Sequence, residues 1–157
     1  MSVENVQYNG AFVVNEVELS YKRTYQIKDR PKLTQSKNVA DLLRQTWDQG
    51  TLEYVETFKV VLLNMNMGLL GICEHTKGGM SSTLIDVRVL FTTALKAAAT
   101  HIITCHNHPS GNILPSGADI ALNKKIQEAG KLLDIQLMDN IILTTDGYFS
   151  FADSGLL

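Results

Sequence analysis

Two histidines, His106 and His108, stand two residues apart in the string I-I-T-C-H-N-H-P-S-G, and Ser116 and Asp119 follow within one short loop. Two imidazoles and a carboxylate make three ligands for a divalent cation. Zinc accepts nitrogen and oxygen donors, and a catalytic zinc site keeps a further position for water. The run His101 to Cys105 is apolar and β-branched and reads as a buried strand. Side chains alternate faces along a strand, so His106 and His108 point one way and Asn107 the other. Pro109 ends the strand because it has no N–H for a ladder, and Ser110-Gly111-Asn112 is turn chemistry. Ser116 reads as the N-cap of a helix with Asp119 in its first turn. A plainer account of that last pair is a capping box, in which the carboxylate only satisfies the helix end. The two histidines in register, with the carboxylate at this spacing, favour a metal site, and Ser116 can cap the helix and serve that site together.

His106-Asn107-His108-Pro109-Ser110-Gly111, followed by Pro115-Ser116 and Asp119, resembles the JAMM motif of the MPN+ metalloproteases and, more closely, the bacterial RadC family. The resemblance runs from about Glu56 to the C-terminus. It implies that His106, His108 and Asp119 hold Zn2+, that Ser116 hydrogen-bonds at the catalytic centre, and that a glutamate from an earlier strand works through the bound water. Three glutamates are available: Glu53, Glu56 and Glu74. Glu56 is preferred because it precedes the strand T-F-K-V-V-L-L in the family's E-x-F pattern, with Glu74 the alternative. The resemblance further implies an MPN/JAMM-like (cytidine-deaminase-like) three-layer sandwich. It implies a hydrolase of amide or isopeptide bonds, acting on a peptide or isopeptide substrate. Two other readings accompany the family: a DNA-repair-associated protein acting with nucleic acid, and a non-catalytic MPN-type interaction module. Two positions depart from the family pattern: Asp86-Val87-Arg88 replaces its H-P-R, and Asn140 replaces a histidine after Met138-Asp139. Those positions bear on the groove and on substrate preference. Other histidine chemistries fail on spacing. A ββα nuclease spreads its residues over a hairpin and a helix, and a zinc deaminase needs H-x-E with a later C-x-x-C.

The elements that must position these residues can be traced in order. Met1 to Gly10 is polar and reads as loose. Ala11 to Tyr21 reads as one bent strand or a hairpin around Asn15-Glu16, and the basic stretch Lys22 to Lys32 reads as a solvated connector. Residues 1–35 are thus expected as an N-terminal strand or hairpin and connector, and 36–157 as the RadC-like JAMM/MPN+ domain. Ser36 opens a helix over about Asn38 to Gln49, with Val39, Leu42, Leu43 and Trp47 at helical spacing and Gly50 as the stop. Strands follow at Thr57 to Asn64 and Leu69 to His75, joined as a hairpin, with a short strand at Thr83 to Ile85. A helix over Val87 to Thr100 carries Val87, Leu90, Phe91, Ala94, Leu95 and Ala98 on one stripe. After the histidine strand, a helix from Gly117 to Leu133 should bury Ile120, Leu122, Ile126, Ala129 and Leu133. Ile135 to Thr144 is the next strand, and Asp146-Gly147 turns it into Tyr148 to Phe151. This order predicts an α/β fold, a mixed β-sheet covered by helices.

The chain has 157 residues, 45% of them hydrophobic, with a formal net charge of −2. That suits one domain with a real core and offers no basic footprint for nucleic acid. Cys73 and Cys105 lie in apolar runs and form neither a metal spacing nor a disulfide framework. With no apolar run long enough to span a bilayer and no secretory leader pattern at the start, the expectation is a cytoplasmic protein with no membrane contact.

Overall fold

A computed structural model describes residues 6–8, 12–14, 30–78 and 85–157, the first two segments as backbone alone. Strands β1 (Val6–Tyr8) and β2 (Phe12–Val14) pair antiparallel, Val6 opposite Val14. Val6–Tyr8 is strand where a loose segment was expected, and the expected turn at Asn15-Glu16 lies outside the described residues. The rest of that expectation, and most of the basic connector, lies outside the described residues. The chain then carries α1 (Ser36–Thr46), β3 (Thr57–Leu63), β4 (Leu69–Lys77), α2 (Val87–Lys96), β5 (His101–Asn107), α3 (Gly117–Leu132), β6 (Gln136–Leu143) and β7 (Tyr148–Ser150). Within the Thr83 to Ile85 expectation only Ile85 is described, and it is not strand.

The five longer-range strands form one mixed sheet in the order β4-β3-β5-β6-β7, parallel only between β5 and β6. Period-two alternation divides its side chains between two cores. Val61, Leu63, Ile103, Cys105, Ile141 and Leu143 meet Val39, Ala40, Leu43 and Trp47 of the α1 segment on one face. Phe58, Val60, Leu62, Ile102 and Leu137 meet Leu90, Phe91, Ala94 and Ile126 of α2 and α3 on the other. Helix, sheet and helices make three layers, as the element order predicts. The central strand β3 is buried along its whole length. Even Lys59 is buried there, its ammonium 4.3 Å over the Trp47 ring and donating to Thr46 O at 3.3 Å. Both cysteines are free thiols, and burial pushes the Cys105 thiol up, away from reactivity. Among the described residues no helix is long and apolar enough to cross a membrane.

The helices end earlier than periodicity suggests, for local reasons. At α1 the Thr46 hydroxyl turns back onto Leu42 O and Leu43 O, and Trp47 goes extended to reach the core. Ser36 is the first helical residue and not the cap. Gln35 takes the N-cap position without a side-chain bond, and the Ser36 hydroxyl reaches Asp153 at 2.5 Å. Helix α2 stops at Lys96 because Ala98 takes φ 52°, and Ala99 N bonds Ala94 O in a C-terminal cap that turns the chain into β5. Leu95 and Ala98 face solvent. On α3 the buried positions are Asn123, Ile126 and Gly130, with Ile120 and Leu133 exposed. Gly130 is required: a Cβ there would run into the carbonyl oxygen of Ile135, where the chain doubles back from α3 into β6. Ahead of α1, Leu33 N bonds Met67 O and Leu69 N bonds Pro31 O, which seats Leu33 in the core beside the β3–β4 turn.

Candidate metal centre

The carboxyl ends of the parallel strands β5 and β6 lie side by side, the place where open α/β sheets present their sites. Strand β5 runs through His106 and Asn107 and stops just short of Pro109, with His106 paired to both β3 and β6 and Asn107 to β6. His106 is buried, its ring stacked on Phe58 at 6.3 Å between centroids and 11° between planes. His108 lies one residue past the strand, held to β6 by its N–H on Leu143 O at 3.1 Å. The chain turns there through Gly111, whose φ of 77° a side chain would resist, and Gly111 N bonds His108 O. That turn brings Asn112 O to 2.6 Å from His108 Nδ1. A carbonyl only accepts, so Nδ1 carries the hydrogen and Nε2 of His108 is left to face the site.

Helix α3 supplies the carboxylate. Ser116 is its N-cap: Asp119 N donates to Ser116 Oγ at 3.2 Å, and Ser116 N donates to Asp119 Oδ2 at 2.7 Å, a complete capping box. The Ser116 hydroxyl also donates to Asp119 Oδ2 at 2.6 Å. The capping and metal readings of this pair therefore coexist. Oδ2 is tied into the helix end, while Asp119 Oδ1 stands 3.1 Å from His106 Nε2. The two Nε2 atoms are 3.0 Å apart, and one ligand atom from each of His106, His108 and Asp119 falls within a 4.8 Å cluster. The neighbouring imidazoles and the Ser116 hydroxyl hold the Asp119 carboxyl far below the usual carboxylate range against the opposing effect of burial. Asp119, through its hydrogen bond first, raises His108 above its ordinary value. The donor set is two nitrogens and one anionic oxygen, one histidine already fixed in tautomer by a backbone carbonyl, and it fits a zinc ion.

Of the three glutamates, Glu56 sits one residue before β3. Alternation from Phe58 puts it on the face of His106, and its charge contributes to the upward shift of His108. Glu74 is exposed and pairs in register with Lys59, whose side chain lies on the α1 face, so it belongs to the opposite side of the sheet. Glu53 accepts from the Thr145 hydroxyl at 2.7 Å in the neighbouring loop.

Sequence reasoning passed over Asn107 except to point it away from the histidines. Fully buried on the other face, it accepts from Thr57 N at 2.7 Å and donates to Leu52 O at 2.7 Å and Val55 O at 2.9 Å. It fastens the loop that carries Glu56 to the strand that carries the histidines. The signal in the sequence was an amide inside an otherwise apolar strand, which must find partners if buried. At the two departures from the family pattern, Asp86 caps α2 by accepting from Arg88 N and pairs with the Arg88 guanidinium, which lowers its carboxyl to about 2. Asn140 is buried in β6.

Comparison with known proteins agrees with this geometry. The family model described as "RadC-like JAB domain" matches residues 33–156. A "UPF0758 protein" of Flavobacterium johnsoniae is 37% identical over 145 residues, covering 92% of this chain and 62% of that protein. Proteins of the same name from Porphyromonas gingivalis (44% identical, 65% of this chain, 45% of that protein) and Clostridium botulinum (33%, 86% and 58%) are also similar. The chain thus spans roughly half to three-fifths of the length of these relatives. With a three-layer α/β fold, a histidine pair and carboxylate brought together, and a family match over most of its length, the chain belongs to the RadC-like JAB domain family.

Proposed function

We propose that this domain is a zinc-dependent hydrolase that cleaves an amide or isopeptide bond. The observation that carries the reading is the convergence of His106 Nε2, His108 Nε2 and Asp119 Oδ1 at the carboxyl end of β5, with the His108 tautomer already set by Asn112 O. Bound there, zinc supplies Lewis-acid activation of water and of a substrate carbonyl. The residues of the chain do the rest. Glu56 takes the proton that the attacking water gives up and hands it to the leaving amine nitrogen. Ser116 holds Asp119 in its ligating rotamer. Its hydroxyl hydrogen is engaged by Asp119 Oδ2, so a role toward the substrate oxyanion requires that hydrogen to swing from Asp119 to the substrate. Burial of His106 and the Phe58 ring behind it keep one wall of the centre dry, which strengthens charge interactions in it. The test is a panel of peptide and isopeptide substrates presented to zinc-loaded protein. Cleavage that a chelator abolishes and added zinc restores is the expected result; cleavage indifferent to chelator contradicts the proposal.

A further inference from the structure

Beneath the candidate metal centre lies a second polar layer that the proposed chemistry does not use. Thr104 precedes His106 by two residues on β5, so it shares the face turned to α3. Asn140 is its register partner on the parallel strand β6. Asn123 follows Asp119 by four residues, one helical turn deeper along α3, and is buried. Thr104, His106, Asn123 and Asn140 are exposed by 0%, 3%, 3% and 2%. In each, one polar atom is buried without a hydrogen-bond partner: Thr104 Oγ1, His106 Nδ1, Asn123 Oδ1 and Asn140 Oδ1. Asn123 Nδ2 donates to Leu156 O at 3.4 Å, which leaves the amide oxygen as the unpartnered atom.

The four atoms balance. With His106 Nε2 given to the metal position beside Asp119 and His108, the imidazole presents Nδ1–H to this layer, and the Thr104 hydroxyl is a second donor. The two amide oxygens only accept. None of the four is bonded to another, so direct pairing is not how they are satisfied. A water has two hydrogens and two lone pairs, and buried waters take two to four polar partners of this kind.

We propose that Thr104, Asn123 and Asn140 hold one buried water that accepts from His106 Nδ1–H, making the three positioning residues for that histidine. The water receives hydrogens from His106 and Thr104 and donates its own to the oxygens of Asn123 and Asn140. It fixes the ring as the Nδ1–H tautomer with the Nε2 lone pair directed at the metal position, as Asn112 O does for His108. Its consequence for metal binding and the His106 tautomer rest on the zinc reading above; the water rests on the four buried, unpartnered polar atoms.

A crystal structure of the metal-free chain that resolves ordered solvent tests the water directly. Density within hydrogen-bonding distance of His106 Nδ1 and Asn140 Oδ1 is expected. A dry site, or rotated side chains paired directly with one another, overturns the proposal. Zinc affinity, measured by competition with a chelator, tests the positioning. Thr104→Val and Asn140→Leu should each bind zinc about 10–100-fold more weakly, the usual cost of losing a partner behind a metal-ligating histidine. Thr104→Ser, which keeps the hydroxyl, should restore affinity where a merely structural loss would not be rescued. Wild-type affinity in both polar-to-apolar variants overturns the positioning role. A wild-type protein that takes up no zinc overturns the zinc reading instead, and the solvent density still decides the water.

Discussion

The carbonyl oxygen of Asn112 lies 2.6 Å from Nδ1 of His108, four residues back along the same turn. The Pro-Ser-Gly-Asn turn is thus more than an exit from the sheet: it decides which nitrogen of His108 is available. On the far side of β5, Asn107 ties down the loop that leads to Glu56. The three residues His106, Asn107 and His108 therefore face two different problems. The histidines collect ligand atoms, and the asparagine between them holds a neighbouring loop in place.

Asn107→Ala should destabilise the fold without touching the ligands. It strips partners from Thr57 N, Leu52 O and Val55 O, all close to a buried strand end. Leaving buried polar groups unpaired costs about 1–3 kcal/mol apiece, and partial solvation of the loop should bring the total to roughly 2–4 kcal/mol. Urea unfolding of the metal-free protein measures it; a loss below about 0.5 kcal/mol would show that the loop is held by other means.

Acid and base should both weaken the metal-free protein through one pair. Asp119 is depressed in the fold, so its contribution is present above the unfolded carboxylate value and is lost as pH falls through the folded one. His108 is raised, so its contribution is complete below the unfolded imidazole value and is lost as pH rises through the folded one. Together they stabilise most between about pH 4 and pH 6.5, the two unfolded values. Urea midpoints taken from well below to well above that range in the presence of chelator should show a broad maximum within it that Asp119→Asn flattens. An unchanged profile in the variant would mean the pair does not govern it.

Glu56→Gln keeps the shape of the side chain but cannot carry a proton. It should retain zinc, because Glu56 is outside the ligand cluster, and lose turnover by about 10²–10⁴-fold, the usual scale for a positioned acid–base group. Glu74→Gln, on the opposite face of the sheet, should be near neutral. Equal losses in the two variants would remove the distinction drawn between them.

How much of this is legible in the sequence depends on how local the cause is. The histidine strand, the Ser116 cap and the Asp146-Gly147 hairpin follow from short-range rules, and each lies where those rules put it, within one or two residues. Ala98 and Leu133 belong to expected buried stripes, yet the positive φ of Ala98 and of Asp134 turns the chain there before those stripes are complete. Ile120, next to Asp119 in the first turn of α3, is exposed, and burial on that helix begins only at Asn123. The reach of Asn107 to residues more than fifty positions away is a tertiary fact that no window of sequence contains. Glu56 and Glu74 differ in face because an irregularity between Leu62 and Leu63 shifts the β3–β4 register by one and sets Glu74 opposite Lys59, which spacing alone could not reveal.

The central claim is that His106, His108 and Asp119 form one zinc site. Elemental analysis of the chain, purified without chelator, reconstituted with zinc and freed of excess metal, tests it most directly. The account predicts about one equivalent of zinc per chain, as a three-ligand catalytic-type site holds, and loss of most of it in His106→Ala. Less than roughly a tenth of an equivalent in the wild-type chain, on the order of background for such a site, or undiminished zinc in His106→Ala, would contradict it.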